Sequence, residues 1–297
     1  MTSKLLGLYA QTSIHAGAGQ NQGVVDLPIM REEHNGWPCI FGSAMKGAIR
    51  AAYEKNNSNG SNRSVEDIFG KAATDESYAG ALMVSDARLL LLPIRSLTTQ
   101  FRWVTCPDAL RRLKQDAERF GIKLDFDMPE ITSPDNVLIH SAETSDNNQS
   151  LYLEEYRLKI ENTDFSKLIH ILSSLSGRAE SDLGAQLAVV SNDNFTFFAE
   201  HCTPVNAHIA LDSATKTTLN GALWYEETLP PETLMYLGLY AQDARKKQDT
   251  TLLASTVLES VLDGLKSASS DKLYLQAGGN ETVGMGWFAV QELKQEV

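Results

Sequence analysis

Cysteine is scarce in this chain of 297 residues, which has only Cys39, Cys106 and Cys202 and no CxxC pair among them. An odd number of scattered cysteines supports neither a disulfide framework nor a cysteine zinc site. The six histidines form no HxH or HExxH spacing, so the common histidine metal motifs are missing too.

Long apolar runs are also missing. No segment approaches the roughly 20 apolar residues that span a bilayer, and the N-terminal MTSKLLGLYAQTS lacks the apolar region of a signal peptide. We therefore expect a cytoplasmic protein with no membrane partner. The content of hydrophobic residues, 42%, and of charged residues, 22%, is that of an ordinary globular protein.

Positive charge is in short supply, because the formal net charge is -12. This balance argues against a surface that binds nucleic acid everywhere, since phosphate contacts need Lys and Arg. The distribution is uneven, however. The segment 40–114 holds eleven Lys or Arg against seven Asp or Glu, so it carries +4 and the remainder carries -16.

Glycine is concentrated in a loop near the N-terminus, HAGAGQNQGVVDLPIMR, which runs from His15 and contains Gly17, Gly19 and Gly23. These glycines permit left-handed backbone and close approach to a ligand. The loop also delivers a lone carboxylate, Asp26, between two short apolar runs. A dinucleotide site would need a helix directly after the glycines, and the sequence that follows them is extended and contains a proline.

Periodicity predicts an α+β fold with helices on an antiparallel sheet, in one domain over 1–297. The segment 123–150 is rich in Asp, Asn, Ser and Pro, which predicts an exposed insertion. The alternation in 194–211 predicts a hairpin. Predicted strands cover 4–14, 24–29, 81–93, 151–160, 272–276 and 288–293. Predicted helices cover 107–120, 165–175 and 250–265, with a further helix in FGSAMKGAIRAAYE.

The helix in FGSAMKGAIRAAYE is predicted to begin with Ser43 as its N-cap. Lys46 lies in its first turn and Arg50 four residues on, so two cations share a face near free helix amides that favour anions. A solvated helix face is the ordinary alternative.

Three segments, HAGAGQNQGVVDLPIMRE, PCIFGSAMKGAIRAAYE and the terminal GGNETVGMGW, together resemble the RAMP superfamily of CRISPR proteins in order and spacing. Within that superfamily the chain is most similar to the repeated backbone subunit of type III-B, or Cmr-module, RNA-guided complexes. The resemblance is sharpest in 5–53 and 272–293.

The resemblance implies a ferredoxin-like, RRM-type palm with helical insertions and an inserted thumb hairpin, at about 188–220. It implies several copies stacked along a guide RNA beside other Cmr subunits, and a target RNA that is cut at regular intervals. The carboxylate matching the family's slicing residue is Asp26. Secondary catalytic candidates are His15, Glu227 and Tyr225. His15 could equally contact the RNA backbone or be a satisfied loop histidine.

A carboxylate near a scissile phosphate can hold a divalent cation, Mg²⁺ or Mn²⁺, or help deprotonate the ribose 2′-hydroxyl. We expect 2′-hydroxyl attack assisted by a metal at Asp26. The alternatives are a non-catalytic structural RNA-binding subunit, or a guide-processing endonuclease that uses His15 without metal. A nucleotide-binding small-molecule enzyme is a more distant alternative.

Contacts to RNA are expected where backbone can approach closely or cations face phosphate. Trp224 and Tyr225 are predicted to be core aromatics, and Glu226 and Glu227 surface acids. The residues expected to bind RNA are Gly17, Gly19, Lys46, Arg50, Gly278, Gly279, Gly284 and Gly286.

Overall fold

The computed structural model describes residues 2–20, 23–56, 65–71, 77–141, 150–244, 252–267 and 269–294. The helices in these ranges are α1 (Gly42–Asn56), α2 (Val65–Phe69), α3 (Pro107–Arg119), α4 (Ser166–Ser176), α5 (Glu180–Gln186), α6 (Asn192–His201) and α7 (Ala254–Gly264). None of these described helices is long and apolar enough to cross a membrane.

The strands share no common length and run from two to ten residues. They are β1 (Thr2–Ala10), β2 (Cys39–Ile40), β3 (Gly70–Lys71), β4 (Tyr78–Ala79), β5 (Leu82–Val84), β6 (Ala87–Arg95), β7 (Phe101–Thr105), β8 (Asn136–His140), β9 (Ser150–Leu153), β10 (Tyr156–Thr163), β11 (Leu187–Val189), β12 (Val205–Leu211), β13 (Thr218–Glu227), β14 (Leu234–Ala241), β15 (Leu273–Gln276) and β16 (Trp287–Glu292).

Twelve strands form one sheet in the order β15-β16-β1-β14-β6-β7-β11-β8-β10-β9, with β2 added to β6 and β5 added to β14. The pairs β7 with β11 and β8 with β10 are parallel, so the sheet that was predicted to be antiparallel is mixed. Parallel pairing needs a crossover connection, and α3, α4 and α5 lie in the chain between β7 and β11.

Helices cover both faces of the sheet. Along β1, Leu6 and Leu8 join the apolar cluster that contains α1 and α7, and Leu5 and Tyr9 join the cluster that contains α3 and α4. This alternation follows from the two-residue period of a strand. A Cβ on Gly7 would lie 1.9 Å from the main-chain oxygen of Leu175, so only glycine lets α4 pack this closely.

Several predicted elements have different bounds. The strand predicted for 4–14 ends at Ala10, and the strand predicted for 24–29 is a loop with single bridges to Gly17 and Glu226. The strand predicted for 81–93 is two strands, β5 and β6. Helix α1 begins at Gly42 and not after Ser43, and its first N–H donates to Asp86 Oδ1 at 2.7 Å.

The segment 123–150 is not an exposed insertion where the structure describes it. Leu124 and Phe126 are buried, and β8 is paired inside the sheet between β11 and β10. The buried apolar residues are scattered among many polar ones, so the average composition of the segment does not reveal that part of it is buried. The portion 142–149 lies outside the described residues.

The hairpin predicted for 194–211 is also wrong in position. The first half of that segment is α6, where Phe195 and Phe198 are buried at helical spacing and the Ser191 hydroxyl accepts from Asn194 N at 3.2 Å. The hairpin is β12 with β13, which forms its own two-stranded sheet. The hairpin therefore spans β12 and β13 and not the predicted range 188–220.

Candidate active site

The two glycine-rich segments meet at His15. Gly279 N donates to His15 O at 2.8 Å, and Gly286 N donates to Ser13 O at 3.0 Å. Gly278 has φ +98°, and a Cβ there would lie 2.6 Å from His15 O. The fold therefore joins the N-terminal loop to the terminal loop, although they are about 260 residues apart in the sequence.

The imidazole of His15 is buried, with 8% of the residue exposed. Its Nδ1 lies 2.8 Å from the main-chain oxygen of Glu227. A carbonyl oxygen only accepts, so Nδ1 carries the hydrogen and Nε2 of the neutral ring keeps its lone pair. A Cβ on Gly17 would lie 2.8 Å from that Nε2, so a side chain at position 17 would collide with the imidazole.

Glu226 lies beside His15 at the base of the hairpin. Its Oε1 accepts from Asn280 Nδ2 at 2.6 Å and lies 3.9 Å from His15 Nδ1. Glu226 is 3% exposed and Glu227 6% exposed, so the prediction that both are surface acids is wrong. The hairpin turns these two carboxylates inward because both have partners on other segments.

Asp26 lies against the same strand. Its Oδ2 accepts from Tyr225 N at 2.8 Å, and the backbone beside it is fixed by Leu27 N to Tyr225 O and Glu227 N to Leu27 O, both at 3.0 Å. Residues 225–227 of β13 thus bind Asp26 through Tyr225 N and His15 through Glu227 O. The sequence alone does not show that these segments meet, because Asp26 and His15 are far from residues 225–227 along the chain.

Glu227 is engaged through both carboxylate oxygens. Oε2 accepts from Ile29 N at 3.0 Å, and Oε1 accepts from Thr203 Oγ1 at 2.5 Å and from the Arg31 guanidinium. The sequence alone does not identify Arg31 as a site residue, because only its contact with Glu227, 196 residues away, reveals it.

The aromatic residues of β13 are not core. Tyr225 is 41% exposed on the hairpin, and Trp224 stacks on His208 with ring centroids 5.4 Å apart. The prediction of core aromatics is therefore wrong. In a two-stranded ribbon each strand has only one neighbouring strand, so its residues are less buried than those of the main sheet.

The glycines and the two cations expected to bind RNA lie along different grooves. A groove of about 420 Å³ is lined by Gly17, Gly278, Gly279 and the small residues of α1. A second groove, of about 440 Å³, is lined by Lys46, Arg50 and residues of β3 to β5. The structure therefore divides the set of RNA-binding candidates between two surfaces.

The remaining glycine candidates are in turns. Gly19 and Gly284 have φ of +95° and +86°, and a Cβ on either would meet no atom within 4 Å. Gly286 also has positive φ, +89°, and a Cβ there would lie 2.5 Å from Ala277 O. Glycine is required at these positions by backbone conformation, and at Gly286 also by contact.

The site does not fit a preformed metal centre. In the ranges that the structure describes, no three His, Cys, Asp or Glu side chains are grouped so as to hold an ion. Asp26 accepts from a main-chain N–H and contributes one carboxylate to the site.

The RAMP superfamily model matches residues 8–289, and the chain belongs to the RAMP superfamily. It is 34% identical to the CRISPR system Cmr endoribonuclease Cmr4 of Pyrococcus furiosus, over 98% of this chain and 95% of that protein. It is 25% identical to the CRISPR system CMR subunit Cmr4 of Saccharolobus solfataricus, over 93% and 92% of the two chains.

Solved structures agree with this assignment. The crystal structure of oligomeric Cmr4 from Pyrococcus furiosus superposes with a TM-score of 0.73 at 29% identity, covering 99% of this chain and 98% of that one. The cryo-EM structure of type III-B Cmr-beta bound to cognate target RNA contains a chain of the same fold, with a TM-score of 0.73 at 20% identity and coverage of 98% and 97%. The resemblance to Cmr-module RAMP proteins is confirmed.

Proposed function

We propose that this chain is the endoribonuclease and guide-binding backbone subunit of a type III-B Cmr complex, and that it cuts target RNA paired with the guide. The observation that carries the proposal is that Asp26 and His15 are both bonded to the short stretch 225–227 of β13. The similarity to a protein named a Cmr endoribonuclease supports it.

The fold supports a ferredoxin-like palm and a thumb. The central strands are ordered β16-β1-β14-β6 and are antiparallel, with α1 following β1 and α7 following β14. This is the order expected of a βαββαβ unit. The hairpin of β12 and β13 is the proposed thumb, and its exposed apolar side chains, Val205, Ile209, Leu211, Leu219 and Leu223, suit contact with a neighbouring copy stacked along the guide.

The proposed reaction is attack of a target ribose 2′-hydroxyl on its own phosphate. The O2′–P bond forms and the P–O5′ bond breaks, which leaves a 2′,3′-cyclic phosphate and a 5′-hydroxyl. Asp26 orients the 2′-hydroxyl and takes its proton, while water supplies the proton that the leaving O5′ needs. His15 Nε2 is a second acceptor, because its tautomer leaves that nitrogen unprotonated.

We also propose that Mg²⁺ or Mn²⁺ assists the reaction, although none of the steps above depends on the ion. Since the described residues offer no three-ligand cluster, an ion at Asp26 would take its other ligands from RNA phosphates and water.

The test is Asp26→Asn in a reconstituted complex with guide and target RNA. We expect target cutting to be abolished while assembly and target binding are retained, and we expect a target with 2′-deoxyribose at the scissile nucleotide to remain uncut. Asp125→Asn is the matched control, since Asp125 lies in an exposed pair with Lys167. A chelator, followed by Mg²⁺ or Mn²⁺, reports on the metal.

Undiminished cutting by Asp26→Asn refutes the assignment and leaves a structural RNA-binding subunit. Metal-free cutting of a hairpin precursor by the isolated chain would identify a guide-processing enzyme instead.

A further inference from the structure

We propose that Arg31 and Glu227 form an ion pair whose task is to position Asp26, so that Glu227 acts as a positioning residue and not as a proton donor or acceptor. This inference rests on the proposed function, in which Asp26 performs the cleavage step. It assigns a role to Arg31 and replaces the catalytic role that the sequence predicts for Glu227.

The carboxylate of Glu227 has little capacity left for proton transfer. It is buried, Oε2 accepts from Ile29 N at 3.0 Å, and Oε1 accepts from Thr203 Oγ1 at 2.5 Å and from Arg31. Arginine stays charged at any working pH, so the Arg31 guanidinium is a permanent cation beside this carboxylate. A carboxylate bound in this way serves as an anchor.

Arg31 is itself fixed by three other acceptors. Its Nη1 donates to Gly36 O and Ala199 O, both at 2.7 Å, and its Nη2 donates to Thr203 Oγ1 at 3.3 Å. The guanidinium therefore ties the end of the N-terminal loop to the end of α6 and to the base of the hairpin. A lysine has one nitrogen and cannot reach all of these acceptors at once.

The ion pair completes a set of contacts along 26–31. Asp26 Oδ2 and Leu27 are bonded to Tyr225 in β13, and Ile29 N is bonded to the Glu227 side chain. Arg31 closes the far end of this short segment. With that end released, Asp26 would be held by the contacts to Tyr225, the Leu27 bridge and the main-chain bonds between 28–30 and 16–18. A displacement of about 1 Å at a reacting group can cost about 100-fold in rate.

The experiment measures single-turnover cleavage at saturating target, together with target affinity and complex assembly, for Arg31→Met, Glu227→Met, the double variant and Glu227→Gln. Arg31→Met and Glu227→Met should each slow cleavage about 10- to 100-fold, with target affinity within about twofold. The double variant should be no slower than the slower single variant, because both remove one interaction.

Glu227→Gln separates anchoring from proton transfer. The amide keeps an oxygen that accepts from Ile29 N or Arg31, so the rate should fall less than about fivefold, whereas a proton-transferring Glu227 would lose as much with Gln as with Met. Arg157→Met is the matched control, since Arg157 is exposed on β10 and donates to Ser150.

A Glu227→Gln rate as low as that of Glu227→Met, together with a wild-type rate for Arg31→Met, would overturn the inference. Asp26→Asn, run in parallel, keeps the proposed function separate: if it cuts normally, the proposed function fails whatever the Arg31 variants do. Should Arg31→Met fail to assemble, the Glu227→Gln comparison still decides between the two roles.

Discussion

His15 Nδ1 donates to the main-chain oxygen of Glu227 at 2.8 Å, and the side chain of that same glutamate accepts from Ile29 N in the segment that carries Asp26. One residue of β13 therefore orients both candidate groups, His15 through its backbone and the Asp26 segment through its carboxylate. Their relative position is set by the base of the hairpin. A movement of the hairpin would move both groups together.

The position of the His15 imidazole depends on Gly17. A methyl group at this position would lie 2.8 Å from Nε2, which is closer than real Cβ contacts allow, so Gly17→Ala must cover or displace the imidazole. We expect Gly17→Ala to lower the rate of target cutting by about 10- to 100-fold, the range of a single acid or base contribution, if Nε2 faces RNA. Single-turnover cleavage at saturating target measures this.

Gly184→Ala serves as the control for Gly17→Ala. Its Cβ would make ordinary contacts of 3.6 and 3.8 Å with His140 and Ile169, so cutting should be unchanged. Normal cutting by Gly17→Ala, with His15→Ala also normal, would show that His15 is a structural loop histidine.

Acid stability should depend on Glu32. Burial by itself raises the pKa of this carboxyl, but hydrogen bonds and the charge of Arg112, together with Asn35 and Arg88, outweigh burial, so the pKa is lowered from 4.5. A lowered folded-state pKa stabilises the protein above the unfolded-state value, and this contribution is lost as the pH falls through the folded-state pKa. We expect Glu32→Gln to lower the free energy of unfolding by about 1–3 kcal/mol at pH 7.

In acid, Glu32→Gln should become as stable as the wild-type protein. As the pH falls below 4.5 the carboxyl is protonated first in the unfolded state, and the folded protein follows at its lowered pKa. The difference in unfolding free energy between wild type and Glu32→Gln should therefore shrink as the pH falls. Denaturant titrations at several pH values measure it. Glu118→Gln, on the exposed face of α3, should show no such convergence, and a gap for Glu32→Gln that is constant with pH would contradict the assignment.

Local signals predicted four of the seven helices in the described residues, α1, α3, α4 and α7. In α1 the buried residues are Met45, Ile49 and Tyr53, which are four residues apart and so lie on one face. Helix α3 has Pro107 at its start and is followed by Gly121 with φ +75°. These features depend on neighbours within one or two turns, which a sequence displays directly.

Long-range pairing was beyond local signals. The burial of Glu226 depends on Asn280, 54 residues away, and that of Glu227 on Ile29, 198 residues away. Without knowledge of these partners, two adjacent acids before two prolines are predicted to be exposed. That prediction is wrong for both Glu226 and Glu227. Asp26 was found because glycines and family resemblance marked its loop, whereas Arg31 carried no mark other than its partner.

Arg50 and Lys46 should differ in how they serve guide RNA, although they lie on one helix. Lys46 Nζ donates to Leu82 O at 2.9 Å, and burial, aided by the charge of Arg50, lowers its pKa. Arg50 is partly exposed and is held by Glu54 at 2.8 Å. If this face binds phosphate, Arg50→Ala should weaken guide binding and reduce the salt dependence of log affinity by about one unit. Glu54→Gln should strengthen binding by freeing the guanidinium, and Lys46→Ala should lower the melting temperature as well as affinity.

Filter binding of guide RNA at several salt concentrations measures these effects, and equal affinities for Arg50→Ala, Glu54→Gln and wild type would place the guide on the glycine-lined groove alone.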